Sequence, residues 1–433
     1  MRAFFYSFGC KVNQYETQNI KQNFVSAGYE LSDSFLNSDV CVINTCTVTS
    51  MSDRKNRQLI HKIKKDNPDC VLVITGCFPQ AFENEAISIS EADIITGASD
   101  KNVIHKLVEE FLTERKKIIK ISKHTKFEKF ESMKNTSYPD KTRAYVKIQD
   151  GCNQYCSYCI IPVARGTVRS KPLDELEAEL NTLSESGHTE IVLVGINLSC
   201  YGMDTGQKLI DAIKAAENTN GISRIRLGSL EPELITDDDI KAMASFKKLC
   251  PHFHLSLQSG CDKTLKSMNR KYTTSEYYEL ITKLRAAFDN CAITTDIMVG
   301  FPGESDEDFK QSLEFVEKCG FANTHVFPYS KRNGTKAAER ADQISPEIKE
   351  KRASVMTETT KISKRDFLKT QVGLEVPVLF ERNISNGFFK GYSPNYTLTK
   401  INVENCGIDL RKKIFCVKIL ECKNDYCIGE IVN

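Results

Sequence analysis

The sequence predicts an α/β chain in three parts: a small parallel-sheet α/β unit, an open partial (β/α)6 barrel, and a small carboxy-terminal β-barrel. Three observations carry this expectation. Strand-like and helical runs alternate from the amino terminus to about residue 100, and a second alternation starts at Ala144. Near Val372 the pattern switches to short strands separated by polar turns. The 433 residues also exceed one average domain, and a composition 40% hydrophobic and 27% charged can bury several cores. The expected units are residues 1–115, a basic linker over 116–138, the partial barrel over 139–370, and the β-barrel over 371–433.

In the first unit, "AFFYSFGC" reads as a strand followed by a helix from about Tyr15 to Ala27. "DVCVINTC" is followed by the helical "SDRKNRQLIHKIKKDNP", and "CVLVITGC" is a third strand. Between Arg115 and Arg143 ten Lys or Arg stand against three acids, which reads as a linker or a solvated face open to a polyanion. The second alternation places strands at "AYVKIQ", "EIVLVGIN", "RIRLGSL", "FHLSLQSG", "AITTDIMVGFPG" and "NTHVFPYS". Helical patterns such as "LDELEAELNTLSESG", "SEYYELITKLRAAF" and "DEDFKQSLEFVEKCG" lie between them. Six such units lack the closing pair of a full barrel, and the chemistry of such folds gathers at the carboxyl ends of the strands. The helical "SPEIKEKRASVMTETTKISKRDFLKTQ" leads into "EVPVLFER", "GFFKGYSPNYTLTKI" and "KKIFCVKILEC", enough for about five short strands.

A net charge of +2 excludes a general polycation, although local basic patches are compatible with it. No stretch is apolar for long enough to span a bilayer, and the start lacks a signal-peptide pattern. A soluble, cytoplasmic monomer with no membrane partner is expected. In that setting seventeen cysteines point to metal binding rather than to a disulfide framework.

Two cysteine sets stand out. "GCNQYCSYC" spaces Cys152, Cys156 and Cys159 as C-x3-C-x2-C with no fourth Cys or His nearby, unlike the paired C-x2-C spacing of zinc sites. Three thiolates on a 4Fe-4S cluster leave one iron open to an exogenous ligand. Cys10, Cys46 and Cys77 close "SFGC", "INTC" and "ITGC", each at the end of an expected strand, so a parallel sheet brings them to one edge. Cys41 and Cys70 stand at strand starts and belong to the opposite edge. The remaining cysteines read as packing. Small or polar residues mark the other barrel strand ends: Gly195 and Asn197 in "VGIN", Ser229 and Glu231 in "GSLEP", Ser256 and Gln258 in "LSLQSG", and Gly300 and Gly303 in "VGFPGE".

With these motifs in order along the whole chain, the sequence resembles the radical S-adenosylmethionine (SAM) methylthiotransferase family. The terminal module resembles a TRAM domain. "FYSFGCKVNQYET", "GCNQYCSYCIIPVARG" and "VFPYSKRNGT" are most similar to the branch acting on N6-threonylcarbamoyladenosine beside the tRNA anticodon. The resemblance implies two 4Fe-4S clusters. One, on Cys152, Cys156 and Cys159, cleaves SAM to a radical; the auxiliary one, on Cys10, Cys46 and Cys77, carries the sulfur. SAM serves as radical source and methyl donor, and Tyr158, Gly195, Asn197, Ser229, Glu231, Ser256, Gln258, Gly300 and Gly303 become its expected neighbours. The implied reaction is methylthiolation of C2 of the modified adenine, whose unactivated C–H bond calls for a radical. No acid–base residue is assigned, and the reductant and sulfur donor are unknown.

The implied partner is tRNA, with Arg165, Arg169, Lys171, Arg270, Lys271, Lys331 and Arg332 as candidate contacts in loops of the active face. Phe388, Phe389, Lys390, Tyr392 and Tyr396 are candidates in the terminal module. Arg332 or Lys331 is the expected partner of the threonylcarbamoyl carboxylate. Cys200 in "LSCYG" and Cys261 in "QSGCD" stand where relatives are expected to carry Ser. The competing readings are the same chemistry on isopentenyladenosine or on a ribosomal protein side chain, and a noncatalytic iron-sulfur protein that binds RNA. The last would not need the polar strand ends.

Overall fold

The computed structural model describes residues 1–126 and 128–432. In the amino-terminal unit six strands form one parallel sheet in the order Glu30–Ser32, Arg2–Ser7, Val40–Thr45, Val71–Gly76, Ile94–Thr96, Ile118–Lys120. Val40–Thr45 and Val71–Gly76 are buried along their whole length, because helices cover both faces of the sheet. Phe24 of helix Lys11–Ser26 and Leu107 of helix Ile104–Glu114 pack with Val42 and Val73 on one face. Ile60 and Ile63 of helix Ser50–Asp66 pack with Ile43 and Ile74 on the other. The strand order reverses between Arg2–Ser7 and Val40–Thr45, and crevices at such a switch point are where open α/β sheets bind ligands.

All six expected barrel strands are present: Ala144–Lys147, Glu190–Val194, Arg224–Leu227, His252–Leu255, Ala292–Val299 and Asn323–Pro328. Arg224–Leu227, Glu190–Val194 and Ala144–Lys147 form one parallel group. Ser229–Leu230, which continues the third strand after Gly228, pairs with His252–Leu255 and so begins the second group. An isolated bridge from Ile225 to Leu249 joins the two. Among the described residues no ladder joins the first strand to the last, so the arc stays open. Alternation along the strands sends Ile191, Leu193, Phe253 and Leu255 outward to the helices, and turns Val192, Val194 and the polar residues between the others toward the lumen.

The amino-terminal helix enters that lumen. Val12, the second residue of helix Lys11–Ser26, packs against Val192 and Val194. This helix starts at Lys11 rather than near Tyr15, since Cys10 takes the extended N-cap conformation straight after the strand turn. The segment 116–138 is not a solvated linker throughout. Ile118–Lys120 is the sixth strand, and Met133, Asn135 and Tyr138 are buried between the first two units. Tyr15 Oη donates to Met133 O at 2.6 Å, and Asn135 N donates to Glu179 at 2.8 Å. Charge dominates the composition of this stretch, but its few apolar and amide side chains decide its path.

Residues 375–431 form a closed five-stranded barrel in the order Glu375–Phe380, Phe388–Tyr392, Leu398–Asn402, Cys427–Ile431, Ile414–Cys422. It packs on the amino-terminal mouth of the open arc. Arg224 donates to Pro377 O at 2.7 Å and to Tyr392 O at 3.0 Å, and Arg226 donates to Pro394 O at 2.8 Å. Tyr392 and Tyr396 stack with centroids 4.6 Å apart, and the Arg226 guanidinium lies 4.4 Å from the Tyr396 ring. Among the described residues no helix is long and apolar enough to cross a membrane.

One carboxylate balances this junction. Glu190 is fully buried and meets Arg143 at 2.6 Å, Arg226 at 3.1 Å and Arg224 at 3.4 Å. Burial opposes its ionisation, but Arg226, Arg143 and Arg224 outweigh that and hold its pKa below the ordinary value. A depressed carboxyl pKa contributes stability above the unfolded value and loses it as pH falls through the folded one. Glu190→Gln leaves Arg224 and Arg226 without their anion and Arg143 with Glu381 alone, and a cost of about 3–5 kcal/mol is expected. Thermal unfolding at neutral pH should show a lowered midpoint, with limited proteolysis first releasing the terminal barrel; an unchanged midpoint would contradict the assignment.

Candidate active site

The loop carrying Cys152, Cys156 and Cys159 leaves the first barrel strand through a short antiparallel pair, Gln149–Asp150 with Arg169–Ser170. Gly151 has φ 71° and runs against the Thr167 carbonyl, a path closed to any residue with a Cβ. Cys152 N donates to Gly166 O at 3.0 Å, and Ser157 N to Met268 O at 2.9 Å. Asn269 Nδ2 donates to Tyr155 O at 2.9 Å. A backbone bond to Met268 and a side-chain bond from Asn269, both more than a hundred residues away, thus help to hold the loop.

Polar groups surround these thiols. Arg270 donates to Cys156 Sγ at 3.3 Å and to Ser256 O at 3.1 Å, and it pairs with Glu231. Asn197 Nδ2 lies 3.7 Å from Cys152 Sγ, and Asn197 N donates to Gln149 Oε1 at 2.7 Å. Burial, then the Cys156 thiol, pushes the Cys159 pKa up to about 12. Burial raises Glu231 to about 7, against the pull of Arg270. Tyr158 packs with Met268, Met298 and Phe301 and shields the loop from one side.

The expected cofactor neighbours divide. Asn197, Glu231, Ser256 and Gln258 stand at the strand ends beside the loop. Asn197 Oδ1 and Gln258 Oε1 are buried acceptors without a partner among the described residues. Gln258 also holds a left-handed φ of 68°, a strain that side chains seldom accept without a reason of position. Two orphan acceptors and a carboxylate beside three thiols fit a ligand that brings an ammonium, hydroxyls and an amino-purine, so the rim fits SAM. Ser229 lies lower, opposite His254, and lines the cavity beneath. Gly195, Gly300 and Gly303 make room for the chain itself: a Cβ would strike Gln149, Lys349, and the Arg340–Asp342 pair respectively. Sequence reasoning missed Gln149, whose Nε2 donates to the carbonyls of Asp150 and Gly151 at 2.7 Å.

The second set assembles at the switch point of the amino-terminal sheet. Cys10 caps helix Lys11–Ser26, Cys46 follows strand Val40–Thr45, and Cys77 opens helix Cys77–Ala81. A Cβ on Gly9 would fall 2.6 Å from Cys46 Sγ. Cys10 reaches solvent on the open side, yet the protein packed around its thiol raises its pKa. Burial, then the Cys77 thiol, drives Cys46 to about 12. Cys41 and Cys70 neighbour each other at the opposite edge, within a hydrophobic core. Among the described residues no three ligands surround a single ion. Three thiols to a site suit a multi-iron cluster, in which each cysteine holds a different iron.

Arg165 joins the two regions. It is 0% exposed, donates to Cys77 Sγ at 3.1 Å and to Asn13 Oδ1 at 2.6 Å, and forms a bidentate pair with Glu16. Lys147 meets Glu16 at 2.8 Å and Asp150 at 2.6 Å. Asn13 and Glu16 in "KVNQYE" are polar residues on the buried face of an amphipathic helix, the one sequence signal that marked this network.

This corrects most of the basic RNA contacts expected from sequence. Arg165, Arg169 and Arg270 are buried and committed to Glu16, to Asp150 with Glu128, and to Glu231. Lys171 is buried on Glu179. Arg332, 4% exposed, pairs with Asp53 at 2.5 Å and donates to Thr47 at 2.6 Å, so its charge is spent inside the protein. Lys271 and Lys331 remain exposed. In the terminal barrel Phe389 is core, Phe388 and Lys390 are half-buried, and Tyr392 and Tyr396 turn toward the arginines of the lumen base.

Two family models match the chain: the Radical SAM superfamily over residues 146–316, and the Uncharacterized protein family UPF0004 over residues 2–97. The chain is 36% identical to the threonylcarbamoyladenosine tRNA methylthiotransferase MtaB of Bacillus subtilis, across 99% of this chain and 96% of that one. It is 37% identical to the Thermotoga maritima protein of the same name, across 90% and 89%. A tRNA-2-methylthio-N(6)-dimethylallyladenosine synthase of Acetivibrio thermocellus is 33% identical across 87% and 79%. Among solved structures, the radical S-adenosylmethionine methyltransferase TsrM of Kitasatospora setae matches in fold with a TM-score of 0.58 at 10% identity, across 90% of this chain and 80% of that one.

Each thiol of the barrel loop is expected to be needed for one iron. In anaerobically reconstituted protein, Cys152→Ala, Cys156→Ala or Cys159→Ala should abolish reductive cleavage of SAM; cleavage at the unsubstituted rate in any of them contradicts the site. The amino-terminal set separates from it. A Cys10→Ala, Cys46→Ala, Cys77→Ala triple variant should lose about half of its iron and sulfide, as expected for one of two equal clusters, and still cleave SAM. Unchanged iron would make those thiols ordinary packing.

Proposed function

Since this chain belongs to the radical SAM methylthiotransferase family, we propose that it methylthiolates C2 of N6-threonylcarbamoyladenosine beside the anticodon of tRNA. The observation that carries this reading is the meeting of two tricysteine sites at one lumen. The helix capped by Cys10 is seated by Val12 on the lumen-facing Val192 and Val194, while the Cys152–Cys159 loop roofs the carboxyl ends of the barrel strands. When bound, the two 4Fe-4S clusters and SAM supply the radical, the sulfur and the methyl group.

The chain's own residues prepare the place. Cys152, Cys156 and Cys159 hold one cluster, and Arg270 sets a positive charge beside Cys156. Asn197 and Gln258 offer free acceptors to the hydroxyl and amino groups of SAM, and Glu231 offers a carboxylate. Tyr158 with Phe301 and Met298 keeps water from that side, which protects a reactive intermediate. Cys10, Cys46 and Cys77 hold the auxiliary cluster, with Arg165 compensating negative charge at Cys77. Exposed Lys271 and Lys331 are suited to phosphates at the rim. The closed barrel of residues 375–431 is read as a TRAM-like RNA-binding module; the amino-terminal unit extends through strand Ile118–Lys120, and residues 139–370 and 371–433 are read as the other two working units.

Relatives named for threonylcarbamoyladenosine support the substrate, at 34–37% identity against 31–33% for those named for dimethylallyladenosine. The test is direct: reconstituted enzyme, reductant and SAM with tRNA bearing either modification, followed by mass spectrometry of the digested nucleosides. The expected product is 2-methylthio-N6-threonylcarbamoyladenosine. Preference for the isopentenyl tRNA would overturn the substrate, and activity on neither would overturn the RNA reading.

A further inference from the structure

Beneath the SAM rim lies an open cavity of about 410 Å³, lined by the lumen face of the barrel strands, helix Pro346–Thr370 and the terminal barrel. The layer of its wall next to the rim is fixed by register: Ser229, His254, Thr294 and Asn323 stand side by side on four neighbouring strands. Each is two positions before a residue of the level above, where Glu231 and Ser256 stand. Lys11 lines the same cavity from the amino-terminal unit. We propose that this cavity takes the N6 substituent of the target adenine and that Lys11 binds its carboxylate. The proposal rests on the threonylcarbamoyl reading given above and adds to it a specificity-determining residue.

The charges around the cavity single out Lys11. Lys364 is held by Asp425 at 2.9 Å. His254 Nε2 sits 3.3 Å from Asp296, and Arg143 and Arg226 are spent on Glu190 and on the terminal barrel. Lys11 is exposed and has no ion pair or side-chain hydrogen bond among the described residues. Its place is set by its neighbours in the chain, since Val12 is pinned on Val192 and Val194 while Cys10 belongs to the auxiliary site. On a purine, C2 and the N6 substituent flank N1. A base presenting C2 to the cluster held by Cys10 therefore brings that substituent within reach of the next residue.

A second observation points to a polar ligand at this spot. His252, 7% exposed, forms part of the cavity wall; its Nε2 lies 3.2 Å from Thr294 Oγ1, and its Nδ1 has no partner among the described residues. The Tyr396 ring, 5.1 Å away, fixes the imidazole in place. A carbamoyl or hydroxyl group can satisfy such a nitrogen, whereas an isopentenyl chain cannot. That chain would also leave Lys11 without an anion.

The test uses the reconstituted holoenzyme with two forms of one tRNA, bearing threonylcarbamoyl adenosine as the free acid or as its methyl ester. For the unsubstituted enzyme kcat/KM should fall roughly ten- to a hundredfold on esterification, the range of a charge-assisted hydrogen bond. Lys11→Gln should show that same fall on the acid, little further change on the ester, and unchanged iron content and SAM cleavage. Lys11→Arg should keep acid–ester discrimination. If Lys11→Gln loses iron, equilibrium binding of the two tRNAs reads the same discrimination without turnover. Discrimination retained by Lys11→Gln overturns the role of Lys11. Failure of the unsubstituted enzyme to modify the threonylcarbamoyl tRNA overturns instead the reading on which it rests.

Discussion

The buried ion cluster of Glu16, Arg165, Lys147 and Asp150 is the constraint on which the rest of this molecule depends. It crosses the boundary between the amino-terminal sheet and the partial barrel, and Glu16 and Arg165 are wholly removed from water. Charges in such a place are tolerated only when each finds a partner at the right distance and angle, and loss of one leaves the others uncompensated. Burial favours a neutral Glu16, but Arg165, Lys101 and Lys147 together hold its carboxyl well below the ordinary value. The cluster therefore works as a register pin. Helix Lys11–Ser26 has one satisfactory position on the barrel, and that position brings Arg165 to Cys77 and Lys11 to the lumen.

The opposite mouth of the lumen obeys the same rule with a different set of groups. Glu190 collects three arginines that an apolar strand end would not hold, and the arginines spend their remaining N–H groups on carbonyls of the terminal barrel. The open arc gains a floor in this way. A barrel that is not closed by hydrogen bonds between its first and last strands is closed by other domains, one wedged at its side and one beneath. The lumen is thus bounded by all three parts of the chain.

The two cysteines that replace expected serines fit this environment. Cys261 is buried, with its thiol 3.4 Å from Gln311 Oε1 and 3.7 Å from Asp308 Oδ1, where a hydroxyl would donate in the same direction. Cys200 is buried near Cys152, and burial pushes its pKa up to about 12, so it stays a neutral thiol beside the cluster loop. Neither enters the two cysteine sets.

The elements, and the strand-end positions of the cysteines, were legible in the chain alone. Alternation of period-2 and helical runs located the six barrel strands, because buried strands and amphipathic helices leave periodic signatures in the chain. The strand-end positions of Cys10, Cys46 and Cys77 followed from the geometry of parallel sheets, since successive strands in one sheet end at one edge. What only tertiary structure decided was the use of each charge. Arg332, in a loop, and Lys11, the first residue of its helix, are both cations near the active face. The first is spent on Asp53, a residue 279 positions away, and the second meets no anion among the described residues. Composition counts charges, but pairing across long sequence separations decides which of them remain available. The same holds for Met133 and Asn135, two ordinary residues in a basic stretch, whose burial depends on Tyr15 and Glu179 arriving from two other units. Such contacts leave no local pattern, because the partner that gives each residue its role is brought to it only when the domains close.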